Sequence, residues 1–181
     1  MNNYQKALKE LDRYTHVFDH NMYKMNLLQV LAFNLRKRKN VIGIGAGRMG
    51  YSLQAFIMRL NHMGFDAYMI GDTGVPKCDE NSLVLINSSS GKTPSVRLFA
   101  AQAHDAGAYI VLFTTDPESK VFTMTDIAHT VFRYPKDDSG QVMKTLYEQF
   151  TYLMFDTIAH DLMEMMEISY EFLENNHSIL E

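Results

Sequence analysis

Four unbroken apolar runs, at residues 41–45, 67–70, 83–86 and 109–113, set the frame of this chain. Each has the length of a strand and is continuous rather than alternating, the pattern of strands covered on both faces. A weaker strand signal follows at 129–133. Between the runs, apolar residues recur at helical spacing over 51–63 and 94–106, with Pro94 tolerated in a first turn. Alternating strands and helices close into a parallel sheet through right-handed crossovers, which place helices on both faces. The expected fold class is therefore α/β, a three-layer α-β-α sandwich around a doubly wound parallel sheet of about five strands.

The remaining segments fit around that sheet. Residues 4–39 carry a helical stripe that includes Leu27, Leu28, Leu31, Ala32 and Leu35, and predict a helical lead-in. A short helix is expected between the last two strands, a long helix over 141–166, and a short polar tail to Glu181. With 181 residues the chain can build one well-buried core but is short for two, so residues 1–181 read as a single domain. Hydrophobic residues at 46% and charged residues at 21% exclude the composition of a disordered chain.

A net charge of −4 gives no general field for nucleic acid. The one dense basic run, Arg36-Lys37-Arg38-Lys39, stands just before a strand and reads as a solvated helix end complementing the helix dipole. Lys6, Lys9, Glu10 and Asp12 interrupt the N-terminal apolar positions, and no apolar run approaches the roughly 18 residues of a membrane span, so no membrane is implied. Cys78, the single cysteine, fits a reducing, cytoplasmic compartment.

In an open parallel sheet, ligands bind beyond the carboxyl ends of the strands. After the first strand stands Gly45-Ala46-Gly47-Arg48-Met49-Gly50, where glycines let backbone N–H groups approach an anion at a helix start. The same residues match the dinucleotide fingerprint GxGxxG, for which Asp72 is a late acidic candidate, and they also suit a tight turn with close helix–strand packing. After the third strand comes Asn87-Ser88-Ser89-Ser90-Gly91-Lys92-Thr93-Pro94, whose clustered hydroxyls at a helix start suit a phosphate monoester. An N-cap role for Ser90 or Thr93 accounts for one of those hydroxyls, not for all. Gly91-Lys92-Thr93 lacks the earlier glycine of a P-loop.

Taken with the stretch Met58-Arg59-Leu60-Asn61-His62-Met63-Gly64-Phe65, these two loops resemble a sugar isomerase (SIS) domain of the 6-phospho-3-hexuloisomerase group. The resemblance continues through Gly71-Asp72-Thr73 with Pro76, Lys144-Thr145-Leu146-Tyr147-Glu148, and His177 near the terminal Leu180-Glu181. It implies a flavodoxin-like fold, interconversion of D-arabino-3-hexulose 6-phosphate with fructose 6-phosphate, and no metal or organic cofactor. It also implies a homodimer or homotetramer in which one subunit's tail reaches a neighbour's site. Carried over by position, Ser88, Ser90 and Thr93 hold the phosphate with Gly47, Arg48 and Thr73 as further substrate contacts, Glu148 is the enolising base, and His62 and His177 assist ring opening or proton movement. The chain departs from the family pattern at Met49, where serine is usual, at Lys92, at Val142-Met143-Lys144, and at Asn176, where a basic residue is usual.

Moving a carbonyl from one carbon to the next needs a base that removes a proton and returns it one carbon along, so a single carboxylate such as Glu148 suffices. The developing enediolate oxygen needs a donor, for which His62 and His177 are candidates. A non-catalytic phosphosugar sensor on the same fold remains an alternative reading, as does a dinucleotide-binding protein. His16 and His20, four apart on a helix, offer a weak metal pair, and His160-Asp161 is a chance fragment of a metal-hydrolase pattern. Met154, Met163 and Met166 are expected to fill a core or a subunit contact.

Overall fold

The computed structural model describes residues 1–20, 23–115, 127–134 and 139–178, with the side chains of 17–25 and 144 outside the description. Five strands, β1 (Asn40–Gly45), β2 (Ala67–Met69), β3 (Ser82–Asn87), β4 (Tyr109–Thr114) and β5 (Thr130–Arg133), form one sheet in the order β2-β1-β3-β4-β5. Every neighbouring pair is parallel. The expected α/β architecture is therefore present, and because the strand order reverses at β1, right-handed crossovers put helices on both faces of the sheet.

Alternation along each strand divides the core in two. Val41, Leu83, Leu85, Val111 and Phe113 point to one face, where they meet α1 (Asn3–His20), α2 (Tyr23–Lys37), α3 (Gly47–His62), α5 (Thr145–Met166) and α6 (Tyr170–Asn176). Ile42, Ile44, Val84, Ile86, Ile110 and Leu112 point to the other, against Val96, Ala100 and Ala103 of α4 (Pro94–Asp105). Both faces of the central strands are thus buried, the condition that the continuous apolar runs express. Each fully buried aliphatic or aromatic side chain contributes about 1.5–3 kcal/mol.

Helices α3 and α5 lie side by side and run in the same direction. From start to end, Arg48 meets Glu148, Ser52 meets Thr151 at 3.1 Å, the Phe56 ring stacks on Phe155 at 5.1 Å, and Arg59 approaches Asp156 at 3.6 Å. Their first turns therefore lie together at the carboxyl end of the sheet.

Several boundaries differ from the sequence expectation. The helical lead-in is present as α1 and α2, but α3 begins at Gly47, inside the glycine run, rather than near residue 51. The late helix begins at Thr145, because a 3-10 turn at Val142–Lys144 precedes it and Met143 takes φ 53°, outside helical geometry. The polar tail contains α6, whose start is capped by the Ser169 hydroxyl accepting from the Phe172 N–H at 3.1 Å. The short helix expected between β4 and β5 falls on residues 116–126, outside the described residues. Among the described residues, no helix is long and apolar enough to cross a membrane.

Candidate active site

The strand order reverses between β1 and β3, so the chain leaves these adjacent strands toward opposite sides of the sheet and opens a crevice at their ends. Register makes the two ends level, with Gly45 opposite Asn87. The glycine loop and the serine loop therefore stand side by side. A Cβ on Gly45 would lie 2.8 Å from the Gly50 Cα, so these glycines seat the first turn of α3 directly on the strand end. That is the close-packing role the sequence allowed. Gly47 opens the helix, and its N-cap, Ala46, supplies no side-chain bond to the free N–H groups.

The serine loop leads from β3 to α4 and lines a cavity of about 200 Å³, with Ser88, Ser90 and Thr93 facing Ala46, Met49 and Met143. Ser89 has a different task. Its hydroxyl bonds to Thr115 Oγ1 at 2.9 Å, and its carbonyl accepts from the Thr114 hydroxyl, the Thr115 hydroxyl and the Thr115 N–H, each at 3.0 Å. The Ser88 N–H donates to the Phe113 carbonyl at 3.0 Å. The loop is thereby pinned to the end of β4. Thr93 occupies the N-cap position of α4 but its side chain makes no cap bond, so the N-cap account of this hydroxyl does not hold. Pro94, with no N–H of its own, follows at the first helical position.

Glu148 lies in the first turn of α5, with only 12% of its side chain exposed, and its carboxylate pairs with Nε of Arg48 in the first turn of α3. Both line a second cavity of about 510 Å³, together with Leu11, Tyr51, Ser52 and Tyr152. A shielded carboxylate beside an exposed guanidinium can exchange a proton with a bound ligand while the cation holds oxygen or phosphate.

A buried polar network joins the two cavities, and sequence reasoning missed it. The Asn87 amide nitrogen donates to the Met49 carbonyl at 3.2 Å, to Ser52 Oγ at 3.0 Å and to Thr151 Oγ1 at 3.4 Å, while the Tyr147 hydroxyl donates to Asn87 Oδ1 at 3.1 Å. Burial, reinforced by Tyr134 and Tyr14, raises the Tyr147 phenol well above its ordinary value, so it remains a donor. The available signal was an asparagine closing an apolar strand, with Tyr147 and Thr151 four apart on the buried face of α5.

The other predicted site residues lie elsewhere. His62 is 5% exposed at the end of α3, and its ring faces that of His177 at 4.8 Å. Asn176 Nδ2 donates to the His62 carbonyl at 3.1 Å, so the departure at this position ties the tail to α3. Arg48 and His62 stand 14 residues apart on one helix, which at 1.5 Å per residue is about 21 Å. Within one chain, the two histidines therefore do not share the cavity of Glu148. Thr73 is exposed in the turn after β2 and lines neither cavity. Asp72 accepts the Met69 N–H at 2.8 Å, which commits the acidic group a dinucleotide ribose would need to a turn.

His16 lies 3.8 Å from Asp12 on α1, and the side chain of His20 is outside the described residues. His160, Asp161 and Glu164 bring potential metal-ligand atoms within 4.8 Å of one another near the end of α5. At 12 residues beyond Glu148, about 18 Å along the helix axis, they belong to neither cavity.

The SIS domain family matches residues 34–159, which span both loops and Glu148. The chain belongs to this family. Among its relatives, the 3-hexulose-6-phosphate isomerase of Bacillus subtilis is 34% identical over 157 residues, 83% of this chain and 85% of that protein. The 3-hexulose-6-phosphate isomerase of Mycobacterium gastri is 33% identical over 157 residues, 84% of this chain and 79% of its own length. A Methanococcus jannaschii protein, whose crystal structure infers a molecular function of 3-hexulose-6-phosphate isomerase, superposes with a TM-score of 0.84 at 22% identity and covers 100% of both chains. At that identity the superposition shows a shared SIS fold.

Proposed function

We propose that this SIS protein is a 3-hexulose-6-phosphate isomerase, which interconverts D-arabino-3-hexulose 6-phosphate and fructose 6-phosphate, with residues 1–181 acting as one domain. The observation that carries the reading is the placement of the Glu148–Arg48 pair beside the serine loop, at the switch point of the sheet. Ser88, Ser90 and Thr93 hold the phosphate at the start of α4, and the unfilled N–H groups of α3 behind Gly47 face the same crevice. Phosphate binding far from the reacting carbons aligns the sugar against the base.

In the forward direction Glu148 removes the proton from C2 of the 3-ketose, the C2–C3 enediol forms as the C3 oxygen gains a proton, and the carboxylic acid returns a proton to C3 as the C2 hydroxyl becomes the carbonyl. Arg48 balances the negative charge that develops on the enediolate oxygen. Such a base supplies about 10²–10⁴-fold in rate.

The cavity of Glu148 opens beside the exposed side chains of Tyr51, Tyr152 and Leu153, an apolar rim that suits contact with a second subunit. His62 and His177, distant from Glu148 in their own chain, reach a site only in a neighbour, so the working unit is a homodimer or homotetramer with sites near its interfaces. Thr73 contributes a substrate contact in the same assembled setting. The unpaired Cys78 suits a reducing cytoplasm.

Incubation with fructose 6-phosphate in deuterated water, followed by NMR, tests the activity. Deuterium enters C3 with the wild-type protein, and Glu148→Gln lowers the rate by about 10²–10⁴-fold while phosphosugar affinity stays within a few-fold. Entry at C1 would replace this activity with aldose–ketose isomerisation. Binding without exchange would make the protein a phosphosugar sensor.

A further inference from the structure

Asn87, Tyr147, Ser52 and Thr151 are buried polar residues contributed by β3, α5 and α3, and they meet between the two cavities. An interior amide and three hydroxyls are costly unless each is bonded, and here each is. A core filled only with aliphatic side chains would pack these helices but would not fix their relative position with the directionality of hydrogen bonds.

Three of the bonds touch the backbone that carries the proposed chemistry. Thr151 Oγ1 donates to the Glu148 carbonyl at 3.1 Å, and Asn87 and Ser52 both donate to the Met49 carbonyl, next to Arg48, at 3.2 Å and 3.0 Å. Asn87 is also the residue before Ser88, so it forms the root of the serine loop, while Tyr147 immediately precedes Glu148. One amide thus joins the anion-holding loop to the segments bearing the acid–base carboxylate and its guanidinium partner.

We propose that the Tyr147–Asn87 bond, supported by Ser52 and Thr151, is a positioning device that sets Glu148 at a fixed distance from the phosphate held by the serine loop. The proposal rests on the isomerase reading for its chemistry. None of the four residues needs to touch the reacting atoms. A sub-ångström error in the placement of the base lowers turnover without changing how the phosphate is held, because the loop remains anchored to β4 through Ser89.

Tyr147→Phe keeps the ring in the core and removes the hydroxyl that donates to Asn87 Oδ1, and Thr151→Val keeps the side-chain shape and removes the hydroxyl that donates to the Glu148 carbonyl and meets Ser52 and Asn87. Either variant is expected to lower kcat about tenfold with KM within about twofold, a split that general loosening of the fold would not produce. A second readout needs no turnover. Inorganic phosphate added to isotopically labelled wild-type protein should shift the backbone amide signals of Ser88, Ser89, Ser90 and Glu148, whereas in Tyr147→Phe the serine signals shift as before and the Glu148 shift shrinks. Unchanged kcat, a proportionate rise in KM, or a Glu148 shift equal to that of wild type overturns the positioning role and leaves the isomerase reading standing. If phosphate shifts none of the serine signals in the wild-type protein, the anion loop fails and both proposals fall.

Discussion

Ser89 stands between two serines that face the small cavity, yet its own hydroxyl and carbonyl are engaged by Thr114 and Thr115. The loop therefore presents its cavity-facing hydroxyls from a base fixed to β4, and under the proposed function its affinity for an anion depends on Thr114 and Thr115, which do not line that cavity. Thr115→Val retains the Thr115 N–H bond to Ser89 but removes both hydroxyl contacts. Losing these buried bonds should cost about 1–3 kcal/mol of stability and weaken phosphosugar binding several-fold by loosening the loop. Denaturant unfolding and calorimetric titration check the two effects, and an unchanged affinity would show that β4 does not hold the loop for binding. At this scale the sequence revealed the hydroxyl cluster but not the division of labour within it. That division depends on β3 and β4 lying side by side, with residues 26 apart along the chain brought within hydrogen-bond distance. Asn87 was hidden for the same reason: its partners come from α3 and α5.

Three helices end with the same pair of backbone bonds. After α3 the N–H groups of Gly64 and Phe65 return to the carbonyls of Asn61 and Leu60, and after α4 those of Gly107 and Ala108 return to His104 and Ala103. After α5 the N–H groups of Glu167 and Ile168 return to Glu164 and Met163. The pivot is left-handed in each, at φ 87° for Gly64, 81° for Gly107 and 57° for Glu167. A glycine meets this geometry without Cβ crowding, whereas a glutamate is strained there. Glu167→Gly should therefore stabilise the protein by about 0.5–1 kcal/mol, offset in part by the freedom glycine gives the unfolded chain, and raise Tm by about 1–4 °C. A scanning melt that shows no rise would place compensating contacts around Glu167. Elements with a strong apolar period were legible from the sequence, and β1, β3, β4 and α4 fall within about two residues of expectation. The early start of α3 was not, because glycines that favour loops in isolation are required here by the contact between Gly45 and Gly50. Nor was the delayed start of α5, since residues 141–144 read as helix while Met143 turns left-handed.

The parallel, doubly wound sheet could be read from the alternation of strands and helices, whereas its strand order, and with it the switch point between β1 and β3, is set by tertiary packing. Assembly is a different matter, since it depends on which exposed surfaces meet. The direction shared by α3 and α5 places Arg48 and Glu148 at one end, while His62 and the tail bearing His177 lie about 21 Å along α3 from Arg48. If His177 serves the reaction from a neighbouring subunit, Glu148→Gln and His177→Ala damage different components of a shared site. Each variant alone should be nearly inactive, but unfolding and refolding them together in equal amounts should restore activity. In a randomly paired dimer half the molecules are mixed, and each mixed molecule has one site with both residues intact, so recovery should approach about one quarter of wild-type activity. Activity assays beside a size measurement on the same samples make the outcome decisive. Recovery would establish that the tail completes a neighbour's site, whereas oligomers that form and remain inactive would exclude that sharing, and a fully active His177→Ala protein would remove His177 from the reaction.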